Sequence, residues 1–480
     1  MQNYIPKEQR KKILLLCDDI RFTSGIATMA REIVVGTSHH FNWVNVGGAI
    51  QHPDQGKRLD LSQDTNTTTG ITDSSVLLYP TSGYGSIELI RQLLEIEKPD
   101  AIMLFTDPRY WVWLFQHERE IRQQVPIIYL NIWDDLPYPL YNKPYYESCD
   151  TLFAISKQTE NINRVVLGDV AKDKLIKYVP HGINEKQFYP LDKSSEDFKA
   201  FKSQVFSGHE FDFVTLYNAR NLRRKSTSDL ILAFKTFLDK LPKQQADKCA
   251  LILHTEPVDD NGTDLPKVIE MLMGDKQKNV FISSQKINTD QLNKYYNLAD
   301  ITALISSNEG WGLSLTESMM AGTPILANVT GGMQDQMRFE DEDGNWIKFT
   351  ESFGSNHLGK YKKHGKWAFP VFPSNISLIG SPPTPYIFDD RCDFRDVANQ
   401  LLEAYMLKME DSNKYSKLGE LAREWVTSDE AMMTATNMCI NVIDGIDETF
   451  KTWTSRSVFD LIKIEDYKPN YIKYPVAEHE

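Results

Sequence analysis

The chain has 480 residues, of which 41% are hydrophobic and 25% charged, and its 66 Asp+Glu outweigh 53 Lys+Arg to leave a net charge of −13. That length corresponds to about two to three domains with sizeable cores. The acidic balance argues against a globally basic nucleic-acid binder. No run approaches the ~18 apolar residues of a membrane span.

The start, "MQNYIPKEQRKKILLLCDD", follows basic residues with a short apolar run, too short for a signal peptide, and reads as a first buried strand. Gly25–Val35 then reads as a helix. Asp100–Phe105, Pro126–Ile132 and Thr151–Ile155 are further apolar runs with helical stretches between them. Strands buried on both faces and alternating with helices predict a parallel α/β sheet. "PHGINEKQFYPL" (180–191) breaks the rhythm, and the polar stretch that follows reads as a linker over 191–210. The alternation restarts with "FDFVTLYNA" (211–219), "CALILHT" (249–255), "NVFIS" (279–283), "DITALIS" (300–306) and "TPILAN" (323–328). The expected organisation is a first Rossmann-like domain over 1–190 and a second over 211–445, with an excursion at 338–390. A tail, 446–480, is expected to pack back towards the first domain. Five cysteines (Cys17, Cys149, Cys249, Cys392, Cys439) lie far apart with no C-x-x-C pair. This fits reduced thiols in a cytoplasmic protein better than a disulfide framework or zinc site.

Two doubly wound domains would face each other with their strand ends, where such sheets bind ligands. The stretch "SSNEGWGLSLTESMMAGTPILANVTGG", Ser306–Gly332, lies at one such end. Gly310 and Gly312 let backbone approach a ligand closely. A helix beginning near Gly312 offers free N–H groups and a dipole to an anion such as a diphosphate. Glu309 would sit in the loop and Glu317 a turn or more into the helix. Carboxylates there suit ligand hydroxyls, which donate strong hydrogen bonds to them. Phosphates and vicinal hydroxyls together describe a nucleotide sugar.

"EGWGLSLTE" resembles the E-x7-E motif of the retaining group-1 (family 4) glycosyltransferases of GT-B fold, and "MMAGTPILANVTGG" resembles the segment that follows it there. "VPHGINEKQFYP" is similar to that family's crossing into the second domain. "LYNARNLRRKSTSDLILAF" is similar to its "GR…K" loop, with Ala219 and Ser226 where the family usually has Gly. "LCDDIRFTSGIATMAREI" resembles its first Gly loop, which contributes Gly25. The resemblance implies a GT-B fold of two Rossmann-like domains and transfer of a sugar from a UDP- or GDP-linked donor to a hydroxyl acceptor, with retention. It implies no bound cofactor and no metal. Glu317 would bind the ribose hydroxyls. Glu309, with Gly310, Trp311, Gly312 and Leu313, would hold the transferred sugar. Arg220 and Lys225 would neutralise the leaving diphosphate, and His181 would sit at the crossing beside the donor. Asp134 and Asp135, in "LNIWDDLPYP", are expected to contact sugar or acceptor.

Asp107 and Arg109, in "LFTDPRYWVWLF", end another strand and are candidates for the acceptor side. The run "HLGKYKKHGKWAF" (357–369) is rich in lysine and free of acids. Its Lys362, Lys363 and Trp367 would suit a polyanionic acceptor, with lysines on phosphates and the indole stacking on bases. The acceptor is therefore read as a glycan or lipid-linked sugar, with hydroxymethylated DNA, as used by phage-type DNA glycosyltransferases, as the alternative. A non-catalytic sugar-nucleotide binder is a further alternative.

Overall fold

The structure, a computed structural model, describes residues 4–351, 355 and 359–457. Two parallel sheets carry it. The first contains β1 (Lys11–Asp18), β2 (Phe41–Ala49), β3 (Leu59–Asp60), β4 (Val76–Ser82), β5 (Ala101–Phe105), β6 (Ile127–Asn131), β7 (Thr151–Ala154) and β8 (Leu175–Tyr178). Their order is β3-β4-β2-β1-β5-β6-β7-β8, and only the β3–β4 pair is antiparallel. The β1 residues Ile13 to Cys17 are buried without interruption, as a strand covered by helices on both faces requires. Helix α1 (Gly25–Gly36) follows β1 after a short loop, and its cap is local: the Ser24 side chain accepts from the Ala27 amide at 3.0 Å.

The second sheet contains β9 (Phe213–Asn218), β10 (Cys249–His254), β11 (Val280–Ser283), β12 (Ile301–Leu304), β13 (Ile325–Asn328) and β14 (Ala368–Val371). It is parallel throughout, in the order β11-β10-β9-β12-β13-β14. Strand order reverses between β1 and β5 in the first sheet and between β9 and β12 in the second. Loops diverge at these points and leave a crevice for ligand.

Three expected boundaries change. The stretch read as a linker holds α2 (Glu196–Val205), which packs on the second domain. Its Phe201 ring meets Tyr295 of α3 (Thr289–Leu298) at 5.1 Å, and Phe206 beyond it meets Phe281 at 5.1 Å. A mostly polar sequence concealed a helix anchored by a few aromatic side chains. The 338–390 excursion supplies β14, a full member of the second sheet. It then forms an antiparallel hairpin, β15 (Asn375–Ser381) and β16 (Thr384–Arg391), which reaches to the first domain. The return to the first domain begins before 446. The Ile183 amide donates to the Met433 carbonyl and its carbonyl accepts from the Ala435 amide, both at 3.0 Å, and α4 (Ala435–Thr452) then lies against α1 and β7. A Cβ on Gly36 would strike the Cys439 thiol, one on Gly445 would strike the Phe153 ring, and Thr151 and Thr449 share a hydroxyl bond at 2.7 Å. Most of the tail expected over 446–480 lies outside the described residues. Among the described residues, no helix is long and apolar enough to cross a membrane.

Candidate active site

The reversal between β9 and β12 brings two loops together that are some ninety residues apart in sequence. After β9 the chain makes a short helical turn, Arg223–Lys225, and closes it with Ser226 in the left-handed region at φ 53°. A glycine adopts that conformation without the side-chain crowding serine tolerates here. Ser307, after β12, donates its amide to the Arg224 carbonyl at 2.8 Å and locks the loops side by side. Arg224 Nη1 donates to the Asn308 carbonyl at 2.8 Å and to the Glu309 carboxylate at 3.3 Å. Lys225 Nζ is ion-paired with the same carboxylate. Burial alone would raise the Glu309 carboxyl, but Lys225 and then Arg224 override it and hold the group at about 2. Burial in turn lowers the Lys225 ammonium from its ordinary value.

Gly312 stands at φ 86° and caps α5, the eight-residue helix Leu313–Met320; that backbone angle strains any side chain. The two glycines that close the stretch serve packing: a Cβ on Gly331 would strike the Glu309 carbonyl, and one on Gly332 the Gly310 carbonyl. The Gly332 amide donates to the Glu309 carbonyl at 3.1 Å. Trp311 is fixed by its indole N–H on Thr316 Oγ1 at 2.9 Å and by its carbonyl on Gln336 Nε2 at 2.6 Å. Glu317 accepts from the Tyr296 hydroxyl at 2.5 Å, and that hydroxyl accepts from Asn218 Nδ2 at 2.7 Å. Burial pushes the Glu317 carboxyl up to about 7, against the lowering pull of the Tyr296 bond.

The first domain supplies the facing wall. Gly25, at the start of α1, leaves room for Leu313: a Cβ there would stand 3.4 Å from the Leu313 methyl. Gly310 is as closely approached by the first domain, where the Ile132 carbonyl would lie 3.1 Å from an added Cβ. His181 sits between the Phe105 and Trp311 rings, 5.7 and 6.2 Å away. Burial lowers its imidazole to about 3, so the ring is neutral, and its buried Nδ1 has no hydrogen-bond partner among the described residues. Beyond β6, burial raises both Asp134 and Asp135. Arg224 pulls Asp134 back down while Glu309 pushes it up, and Asp134 raises Asp135 further. These groups enclose a cleft of about 800 Å³ between the domains, lined by Gly25, Asp134, His181, Lys225, Glu309 and Glu317 among others. Arg220 stands at its edge, paired with Asp259 at 2.9 Å and with a side chain 62% exposed.

Asp107 and Arg109 follow β5, as the sequence places them. They are joined to each other, Arg109 Nε on Asp107 Oδ1 at 2.8 Å, and they line a neighbouring cavity. The acceptor expectation for Lys362, Lys363 and Trp367 is corrected. They precede β14 and so lie at the amino ends of a parallel sheet, opposite the cleft. The Trp367 carbonyl accepts from Ile325, the first residue of β13, and its ring stacks on Trp425 within the core. Lys362 rests over the Phe372 ring at 4.8 Å, and Lys363 pairs by backbone with Glu340. The hydrophobic neighbours of these lysines had no signature in a window read by charge. His357 of that run lies outside the described residues. Two side chains bonded to the cleft carboxylates, Arg224 on Glu309 and Tyr296 on Glu317, are not singled out by the sequence. Arg224 was visible only as part of a basic cluster, since nothing local distinguishes which of its cations turns inward. Tyr296 reads as an ordinary core aromatic of a helix.

Comparison with known proteins agrees with this architecture. Residues 198–353 match the family described as glycosyl transferases group 1. The alpha-monoglucosyldiacylglycerol synthase of Acholeplasma laidlawii is 29% identical over 149 residues, 31% of this chain and 34% of that protein. An uncharacterized glycosyltransferase of Methanocaldococcus jannaschii is 25% identical over 269 residues, 55% of this chain and 62% of its own length. The matches thus span a third to three fifths of these relatives. Among solved structures, Anabaena HepE in complex with UDP and glucose superposes with a TM-score of 0.61 at 15% identity, covering 92% of this chain and 100% of that one. Sucrose-phosphate synthase from Thermosynechococcus elongatus gives 0.64 at 16% identity, with the same coverage. The fold is GT-B.

Proposed function

We propose, from the match of residues 198–353 to the group-1 glycosyltransferases, that the chain moves a sugar from a nucleotide-diphosphate sugar, UDP- or GDP-linked, to a hydroxyl acceptor with retention. The observation that carries this reading is the meeting in one cleft of a cation pair on Glu309, a helix start behind Gly312 and the hydroxyl-accepting Glu317. A UDP-bound neighbour of the same fold lends support. In this reading the diphosphate lies at the amino end of α5, where the first-turn N–H groups of a helix lack intrahelical acceptors. Lys225, Arg224 and Arg220 meet the charge that develops as the sugar–phosphate bond breaks. These side chains supply the positive charge, so the reading needs no metal ion. Glu317 accepts from the ribose hydroxyls, and Glu309 from hydroxyls of the transferred sugar. The leaving phosphate oxygen takes the proton of the attacking hydroxyl as the new glycosidic bond forms on the same face. The acceptor is a glycan or lipid-linked sugar.

Incubation with a panel of UDP- and GDP-sugars, followed by release of the free nucleotide, tests the reading. One donor of the panel is expected to be hydrolysed slowly without acceptor, and Lys225→Ala is expected to abolish this. Hydrolysis of no donor, together with no affinity for UDP or GDP, would overturn it.

A further inference from the structure

The hairpin β15–β16 leaves the second domain and ends against the first. Arg109 of the first domain is hydrogen-bonded to Thr384 Oγ1. The Tyr141 hydroxyl donates to the Tyr386 carbonyl at 2.9 Å, and the Tyr386 hydroxyl donates back to the Tyr138 carbonyl at 3.3 Å. The Phe388 amide donates to the Leu136 carbonyl at 2.5 Å. At its root the hairpin is tied to the second domain: the Asp390 amide donates to the Ser307 carbonyl at 3.0 Å, and Thr330 donates to the Asp390 carboxylate at 2.7 Å. The strap therefore bridges the domains beside the Glu309 loop.

Beneath it is a cavity of about 410 Å³, walled by Trp133, Asp135 and Arg109 of the first domain and by Ile379, Ser381 and Thr384 of the hairpin. That volume is typical of a small-molecule site. Ile132, Asp134, Asp135 and Ile387 line both this cavity and the donor cleft, so the two spaces adjoin. Asp134 and Asp135 stand at the junction. Among the described residues no side chain donates a hydrogen bond to either carboxylate, and the side-chain donors Gln158 and Trp133 go to their backbone carbonyls instead. Arg109, the cation of the cavity, is already held by Asp107 and Thr384.

We infer that the hairpin-roofed cavity is the acceptor subsite, and that it takes a neutral, hydroxyl-bearing glycoside and discriminates against a phosphorylated one. This rests on the donor reading and deepens it. Among the residues that line the cavity the one cation, Arg109, is already paired with Asp107, so a phosphate entering it meets acidic side chains and no free guanidinium on its wall. A sugar hydroxyl instead finds carboxylate oxygens with unused acceptor capacity. The hairpin makes the second domain a wall of the acceptor site, so Ile379 and Thr384 become specificity-determining residues.

Equilibrium binding of methyl α-glucoside, α-galactoside and α-mannoside, each beside its 6-phosphate, tests the inference by ligand-observed NMR without any need for turnover. At least one neutral glycoside is expected to bind the full chain and to outcompete its phosphate by about tenfold. Ile379→Trp, which fills the cavity from a half-exposed position, is expected to weaken that glycoside by about tenfold or more while leaving UDP and GDP affinity unchanged. Asp135→Asn is expected to narrow the preference over the phosphate. Absence of binding by all three glycosides, equal binding of the phosphates, or an Ile379→Trp variant with unchanged glycoside affinity would each overturn it. Failure of the donor reading has a different signature: glycoside binding persists while neither UDP nor GDP binds.

Discussion

The two walls of the cleft are built on opposite electrostatic plans. On the second-domain wall the loop carboxylate is answered by cations: Glu309 is held ionised by Lys225 and Arg224, and glycines pack its loop backbone against Gly331 and Gly332. On the first-domain wall Asp134 and Asp135 line the cavities with no side-chain donor among the described residues, and burial raises both. A preorganised, charge-balanced wall suits a ligand whose developing charge must be met at once. A wall with unused acceptors suits a ligand that brings its own donors.

Breaking the balanced wall is expected to have the largest effect. Lys225→Ala leaves Glu309 with Arg224 alone and removes a cation from the leaving group, so kcat should fall by about a hundredfold or more. Denaturant unfolding should show a loss of about 3 kcal/mol, the lower end for breaking a buried pair, because Arg224 still faces the carboxylate.

Glu317→Ala should weaken UDP or GDP by about tenfold or more, read by calorimetry. The wild-type affinity should also depend on pH. The Glu317 carboxyl is raised from 4.5 to about 7, so ribose hydroxyls bind its ionised form and affinity should decline as pH falls through 7. Glu317→Gln should flatten that profile. For folding the sign is opposite: the folded chain holds this proton more tightly, so the contribution is fully present below 4.5 and is lost as pH rises through 7.

Arg109→Ala acts on the unbalanced wall. It cuts one tie between hairpin and first domain, and should raise the acceptor KM by about threefold to tenfold with nucleotide affinity unchanged. Lys362→Ala combined with Lys363→Ala should change neither turnover nor, beyond about 0.5 kcal/mol, stability, because both lie at the amino-end side of β14.

The same contrast explains what could be read from the residues alone. The second-domain wall is assembled largely from one continuous stretch, Ser306–Gly332, whose glycines and glutamates carry their meaning in their spacing. Only its partners from the Arg220–Lys225 loop come from elsewhere, and the reversal of strand order at β9 and β12 brings them in. The first-domain wall and its roof draw on residues 107–109, 132–135 and 379–387, which approach only through tertiary folding. No local pattern announces that Thr384 meets Arg109. A charge-rich window drew attention to Lys362 and Lys363 instead, although the parallel register of β14 puts them at the far ends of the strands. The polar α2 helix was hidden for a similar reason: aromatic contacts with distant residues hold it in place.

In the proposed function the second-domain wall grips a nucleotide diphosphate through Glu317 and the cations beside Glu309. Calorimetric titration of UDP and of GDP into the wild-type chain and into Glu317→Ala at pH 8 tests it most directly. The wild type is expected to bind one nucleotide saturably, and the variant to lose about tenfold or more in affinity. Equal affinity in the two proteins, or binding of neither nucleotide by the wild type, would contradict it.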